Sequence, residues 1–159
     1  MSPTIDSART LPVLLVEDNE IDIAITQRIV KRNAPDVALS VARRGAEALD
    51  MLFDSAQPAP RLVLLDLGLP DIDGQEVLRR IKDHLHVSIV PVAVLTGARE
   101  ERVMLDCLRL GGNMFFVKPI VATDVRNLVT AVRRYWDVME TLQRAARGEE
   151  EEGHVGQET

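Results

Sequence analysis

With 159 residues, 46% of them hydrophobic and 28% charged, the chain has the length of one globular domain of ~100–200 residues and enough apolar content to build a core. A net charge of −6 and a pI near 5.1 exclude a basic, phosphate-recognising nucleic-acid face, and a single cysteine, Cys107, excludes a disulfide framework or a cysteine-built zinc site. The apolar runs fall far short of the ~18 residues that span a membrane, and Leu11–Val16 leads into Glu17 and Asp18 rather than a small-residue cleavage site, so a one-domain cytoplasmic protein is expected.

Residues 1–10 are polar, contain Pro3 and read as a loose leader. Val13–Val16 is an unbroken apolar run, the pattern of a strand buried on both faces. From Asn19 to Arg32, Ile21, Ile25, Ile29 and Val30 recur at helical spacing, and Pro35 stops the helix. Val37–Ala42 is a second strand and Ala46–Phe53 a second helix, closed by Pro58-Ala59-Pro60. Leu62–Leu65 is a third strand, followed by a helix carrying Val77, Leu78 and Ile81 that ends near His84. Ile89–Leu95 is a fourth strand, and the helix carrying Val103, Met104, Cys107 and Leu108 stops at Gly111-Gly112. Met114–Val117 is a fifth strand, and a last helix runs from Asp124 to about Arg147. Five strand–helix units with continuously apolar strands predict a parallel sheet covered on both faces. The domain is expected over 11–147, with an acidic, disordered tail over 148–159.

In an open parallel sheet, ligands bind beyond the carboxyl ends of the strands. The residues that follow each apolar run therefore matter most. They are Glu17-Asp18 after strand one, Arg43-Arg44 after strand two, Asp66 after strand three, Thr96-Gly97 after strand four and Lys118-Pro119 after strand five. The sequence Glu17-Asp18-Asn19-Glu20 repels the phosphate of a flavin or nucleotide. Three clustered carboxylates raise at least one pKa unless a cation sits among them. Hard oxygen donors of this kind suit Mg²⁺. A carboxylate with Mg²⁺, a lysine and a hydroxyl donor is equipment for phosphoryl transfer, since the cations neutralise charge on the equatorial oxygens.

The runs Leu-Leu-Val-Glu17-Asp18-Asn, Leu-Val-Leu-Leu-Asp66-Leu-Gly-Leu-Pro70, Val-Leu-Thr96-Gly97 and Phe115-Phe-Val-Lys118-Pro119 occur in order, each at a strand end. With these motifs the chain resembles a response-regulator receiver domain of two-component signalling, from Leu11 to Met139. The resemblance implies a flavodoxin-like, doubly wound α/β fold of five (βα) units with strand order 2-1-3-4-5. It implies that Asp66 is the phosphoacceptor of a sensor histidine kinase. It further implies that Asp18, Asp66 and the Gly68 backbone carbonyl bind Mg²⁺, with Glu17 acting through water. Thr96, Gly97 and Lys118 are then the phosphoryl-binding residues, Gly97 being the small neighbour of Thr96, Phe115 stands with Thr96 at the switch position, and the Lys118-Pro119 bond is cis. Gly68 and Ala98 are small where many relatives carry larger groups, which leaves an acyl phosphate open to water but supplies no side chain to orient that water.

Asp71-Ile72-Asp73-Gly74 superficially resembles the Asp-x-Asp-Gly of haloacid-dehalogenase phosphatases, but follows Pro70 in a loop. Asp73 with Glu76 reads instead as an N-capping arrangement. His84, His86 and His154 read as solvated, and Cys107 as a small buried hydrophobe. The last helix is longer than one sheet face requires. Its stripe of Val125, Val129, Val132, Trp136, Met139 and Leu142, with Tyr135 beside it, runs past the expected core. Val132, Tyr135, Trp136, Met139 and Leu142 are therefore candidates for a homodimer interface. The Trp-containing helix, the Pro58-Ala59-Pro60 segment and the lack of an output domain are similar to single-domain regulators that partner phytochromes and dimerise through the last strand and helix.

The expected function is to accept a phosphoryl group on Asp66 from a histidine kinase, a phytochrome among the candidates, or to relay it with a histidine phosphotransfer protein. Signalling then proceeds by conformational change, contact or dimerisation, without enzymatic turnover beyond self-phosphorylation from small donors and self-dephosphorylation. The rivals are a Mg²⁺-dependent phosphatase with Asp66 as nucleophile, and a pseudo-receiver that only dimerises.

Overall fold

The computed structural model describes residues 10–97 and 101–148, so the leader and the acidic tail lie almost wholly outside the described residues, and Ala98 does too. The elements alternate without exception: β1 (Leu11–Val16), α1 (Glu20–Asn33), β2 (Val37–Ala42), α2 (Gly45–Phe53), β3 (Leu62–Asp66), α3 (Gly74–Asp83), β4 (Val92–Thr96), α4 (Glu101–Arg109), β5 (Met114–Val117) and α5 (Ala122–Ala146). The five strands form one parallel sheet in the order β2-β1-β3-β4-β5.

The continuous apolar strands divide their side chains between two faces with period two. Leu14, Val16, Val63, Leu65, Val92 and Val94 pack with Leu49 and Leu52 of α2, Val77, Leu78 and Ile81 of α3, and Cys107 of α4. Val13, Leu15, Leu62, Leu64, Ala93 and Leu95 pack with Ile23 and Val30 of α1 and Val125, Leu128 and Val132 of α5. Each central strand is apolar throughout because both of its faces are covered.

Local chemistry sets the element ends. Asn19 caps α1, its Oδ1 accepting from the backbone N–H groups of Ile21 and Asp22 at 3.0 and 3.1 Å. Asp73 caps α3 by accepting from the Gln75 N–H at 2.9 Å, but Glu76 turns away to Arg79 and Arg80 rather than completing a capping box. Gly111 (φ +97°) closes α4 in a conformation that favours glycine.

Three expectations need correction. The fourth strand begins at Val92, not Ile89: the Lys82 ammonium takes the carbonyls of Ser88 and Val90 at 3.2 and 2.8 Å, and Pro91 has no N–H to offer a ladder. His84 is not simply solvated. Its ring stacks on Phe53 with centroids 4.4 Å apart, and its Nδ1 accepts from the backbone N–H groups of His86 and Val87.

The third correction concerns the end of α5, where core material does continue past Tyr135. Val132 is 1% exposed and belongs to the core rather than to a surface. The Tyr135 hydroxyl donates to the Ile89 carbonyl, and Trp136 Nε1 donates to the Arg61 carbonyl at 2.7 Å. The Arg61 guanidinium lies over the indole, 4.4 Å from its centroid, and pairs with Glu140 at 3.0 Å. Tyr135 and Trp136 meet edge to face. This turn of α5 closes the amino edge of the sheet. Met139 is half-buried, and Val138 and Leu142 are the exposed apolar residues of the distal turns.

Candidate functional site

Because every strand runs the same way, all five carboxyl ends open onto one rim. Asp66 is the last residue of β3 and Thr96 the last of β4. Glu17 and Asp18 follow β1, and Lys118 follows β5. Glu17, Asp18 and Asp66 each offer a carboxylate oxygen within 4.8 Å of the others. Glu17 and Asp66 are buried, at 1% and 6% exposure, while Asp18 faces solvent.

Lys118 stands at the centre. Its Nζ lies 2.7 Å from Glu17 Oε2, 3.1 Å from Asp22 Oδ2 and 3.2 Å from Asp66 Oδ1. The other Glu17 oxygen accepts the Asn19 backbone N–H at 3.2 Å, and Asp66 Oδ1 also accepts the Gly68 N–H at 3.2 Å. Burial is the main influence on Glu17 and pushes its carboxyl up to about 6, with the Lys118 hydrogen bond opposing and the neighbouring Asp66 reinforcing the rise. Burial alone would pull the Lys118 ammonium down, but hydrogen bonds to Glu17 and Asp22 and the charge of Asp66 outweigh it and hold the ammonium above the usual lysine range. Lys118 is therefore a fixed positive charge.

The glycines shape access. A Cβ at Gly68 would sit 3.9 Å from both Asp66 carboxylate oxygens and meet no other atom of the described residues within 4 Å, so the bare backbone at Gly68 leaves that space beside the carboxylate clear among the described residues. A Cβ at Gly74 would fall 2.5 Å from Leu67 Cα and 2.8 Å from the Asp66 carbonyl. Only glycine lets α3 start beneath the Asp66–Leu67 backbone, which fixes the carboxylate from below. A Cβ at Gly97 would meet no described atom within 4 Å, so packing among the described residues does not demand glycine there. The Thr96 carbonyl accepts the Lys118 N–H at 2.8 Å, tying the two site strands together, and the Lys118-Pro119 bond is cis. Phe115 pairs with Val94, two residues before Thr96, so it shares the α4 face with Thr96. A cleft of about 560 Å³ lined by Met104 and Phe115 lies beside it.

The structure thus gathers Glu17, Asp18, Asp66 and Lys118 into one site, with Gly68, Thr96 and Gly97 on its rim. The donor chemistry fits a hard divalent cation: carboxylate oxygens converge, and one lysine offsets only part of their charge. Two carboxylate contacts, one in the site and one next to it, were not read from the sequence. Asp22 reaches Lys118 from the first turn of α1, and its spacing after Asn19 marks it only as a helix-start acid. Asp71 accepts the N–H groups of Gly45 and Ala46 at 2.8 and 3.0 Å, capping α2 from the loop after Asp66, where Arg44 gives no side-chain cap. Those backbone bonds, to Ala46 first, hold the Asp71 carboxyl below its ordinary value.

Residues 13–133 match the family model of the response regulator receiver domain. The response regulator Rcp1 of Synechocystis is 33% identical over 128 residues, covering 78% of this chain and 87% of that protein. The crystal structure of the Mn²⁺-bound form of Rcp1 superposes with a TM-score of 0.65 at 32% identity, over 79% of this chain and 94% of that one. The phosphorylated cyanobacterial phytochrome response regulator RcpA superposes with a TM-score of 0.67 at 30% identity, over 80% and 94%. No helix among the described residues is long and apolar enough to cross a membrane. With the parallel 2-1-3-4-5 sheet, the acidic rim and its central lysine in place, the chain belongs to the response regulator receiver domain family.

Proposed function

We propose that the chain is a phosphoacceptor switch in which Asp66 receives a phosphoryl group from the phosphohistidine of a sensor kinase or phosphotransfer protein. One Asp66 oxygen attacks phosphorus, an acyl phosphate O–P bond forms, the P–N bond to imidazole breaks, and the leaving nitrogen keeps the electron pair. The observation that carries this reading is the Asp66 carboxylate itself. It is fixed by Lys118 and the Gly68 N–H at 3.2 Å each, and the space beside it is clear among the described residues because residue 68 has no side chain.

Asp18, Asp66 and the Gly68 carbonyl are the groups that would hold Mg²⁺, with Glu17 acting through water. Both Glu17 oxygens already have protein partners, which supports the indirect role. Bound there, the cation supplies charge neutralisation for the phosphoryl oxygens. Lys118 does the same from the opposite strand end, Thr96 and the Gly97 backbone accompany it on the rim, and Phe115 is the partner of Thr96 in the change of state, with the α4–β5 cleft as room for movement. Position 68 carries no acid or base, so the site is read as a signalling acceptor rather than a turnover phosphatase.

The likeness to a phytochrome response regulator supports a phytochrome-type histidine kinase as partner; a cytoplasmic location and self-association through the last strand and helix complete the proposed reading. Within α5, Met139 and Leu142, with Val138, remain available to a second copy, whereas Tyr135 and Trp136 already have intramolecular partners.

The test is intact-mass analysis after incubation with acetyl phosphate. One phosphoryl group per chain is expected for wild type with Mg²⁺, and none with chelator or for Asp66→Asn. Uptake that persists in Asp66→Asn, or none in wild type, overturns the reading.

A further inference from the structure

We infer that Asp22 is a positioning residue for Lys118: together with Glu17 it anchors the ammonium so that its remaining N–H faces Asp66 and the oxygen that Asp66 acquires. The inference rests on the phosphoacceptor reading and deepens it. A lysine ammonium has three donors and no acceptor. Here three carboxylates, from the β1–α1 connection, α1 and β3, surround it at 2.7, 3.1 and 3.2 Å.

The placement of Asp22 is built rather than incidental. Glu17 Oε1 accepts the Asn19 N–H, Asn19 Oδ1 accepts the Asp22 N–H, Asp22 Oδ2 accepts from Lys118, and Lys118 donates to Glu17 Oε2. The β1–α1 connection and the residue after β5 thus close a ring of hydrogen bonds. Asp22 is 34% exposed, so as a bare ion pair it would contribute little to stability. Its consequence is geometric. Held by Glu17 alone, an ammonium on a flexible four-carbon stem divides its other donors between Asp66 and water. With two anchors, only the third donor is left to choose, and it faces Asp66.

The arrangement also survives the reaction. When Asp66 becomes an acyl phosphate, its carboxylate charge moves onto the phosphoryl oxygens. Lys118 can turn the N–H on its Asp66 side, where the ion pair spans 3.2 Å, to a phosphoryl oxygen without releasing Glu17 or Asp22. Three acceptors match three donors before and after transfer.

The sign of the effect separates positioning from bulk electrostatics. Removing a negative charge from the rim favours approach of an anionic donor, whereas loosening Lys118 slows transfer. The experiment compares phosphorylation rates from acetyl phosphate and Mg²⁺ for Asp22→Asn and Asp22→Glu, with and without Lys118→Ala. Asp22→Asn is expected to slow uptake roughly tenfold when Lys118 is present and to add nothing to the loss caused by Lys118→Ala, while Asp22→Glu restores part of the rate. An equal loss in both backgrounds, or no loss in either, overturns the inference. Asp66→Asn in the same series reads the phosphoacceptor assignment separately.

A second measurement needs no phosphate. In metal-free full-length protein, the Lys118 ¹⁵Nζ ammonium signal is expected to be sharp and slowly exchanging in wild type and broadened in Asp22→Asn. An unchanged signal in Asp22→Asn overturns the inference even if no phosphoryl group is ever taken up.

Discussion

The two edges of the sheet solve opposite problems. At the amino edge, Trp136 and Tyr135 donate to the Arg61 and Ile89 carbonyls, the Arg61 guanidinium covers the indole, and Lys82 satisfies the carbonyls ahead of β4. Each polar group meets a complementary one, and the edge is locked. At the carboxyl edge, Glu17, Asp22 and Asp66 share one ammonium and Asp18 stands beside Glu17 and Asp66, which leaves negative charge in excess. The same strands end in stability on one side and in unspent electrostatic potential on the other, and the second is the side on which chemistry is possible.

The comparison sharpens under mutation. Trp136→Ala should cost about 3 kcal/mol of stability, the usual scale for truncating a packed aromatic, yet leave phosphoryl uptake of the folded fraction intact; denaturant melts paired with uptake assays check both. A large loss of uptake in folded protein would show that the two edges are coupled. Gly74→Ala should cost roughly 2–3 kcal/mol from overpacking and, unlike Trp136→Ala, also lower uptake, because the new methyl displaces the Asp66–Leu67 backbone.

A smaller effect follows from Glu17. Its folded value of about 6 lies above the ordinary 4.5, so the folded state binds the extra proton between those values. In metal-free protein this contribution to stability is present below pH 4.5 and is lost as pH rises through 6. The loss is of the order of 2 kcal/mol at 1.36 kcal/mol per unit. Glu17→Gln should flatten that part of the stability–pH profile, measured by urea titration in chelator. Smallest is Asp71→Ala, which removes the α2 cap at a cost of about 1 kcal/mol, visible as a modest fall in melting temperature.

Much of this was legible in the chain. Unbroken runs such as Val13–Val16 and Leu62–Leu65 have the pattern of strands covered on both faces, and strand polarity then carried Glu17, Asp66, Thr96 and Lys118 to one rim. What escaped depended on contacts that periodicity does not encode. Ile89–Val90 has the composition of a strand, but Lys82 takes the backbone carbonyls that a ladder would need. Trp136 finds Arg61 across 75 positions and Lys118 finds Asp22 across 96, so an exposed-looking helix end became a lock, and a helix-start acid became part of the site. Val132 fell into the core because α5 stays against the sheet one turn further than its stripe implied.

The carboxylate of Asp71 carries one more consequence. The first N–H groups of a helix are a natural seat for an anion, and α2 begins against the loop that follows Asp66. Asp71 already occupies that seat through Gly45 and Ala46. It acts as an electrostatic plug: with the Gly45 and Ala46 N–H groups already taken by a carboxylate of the same chain, those two donors at the start of α2 are closed to a passing anion.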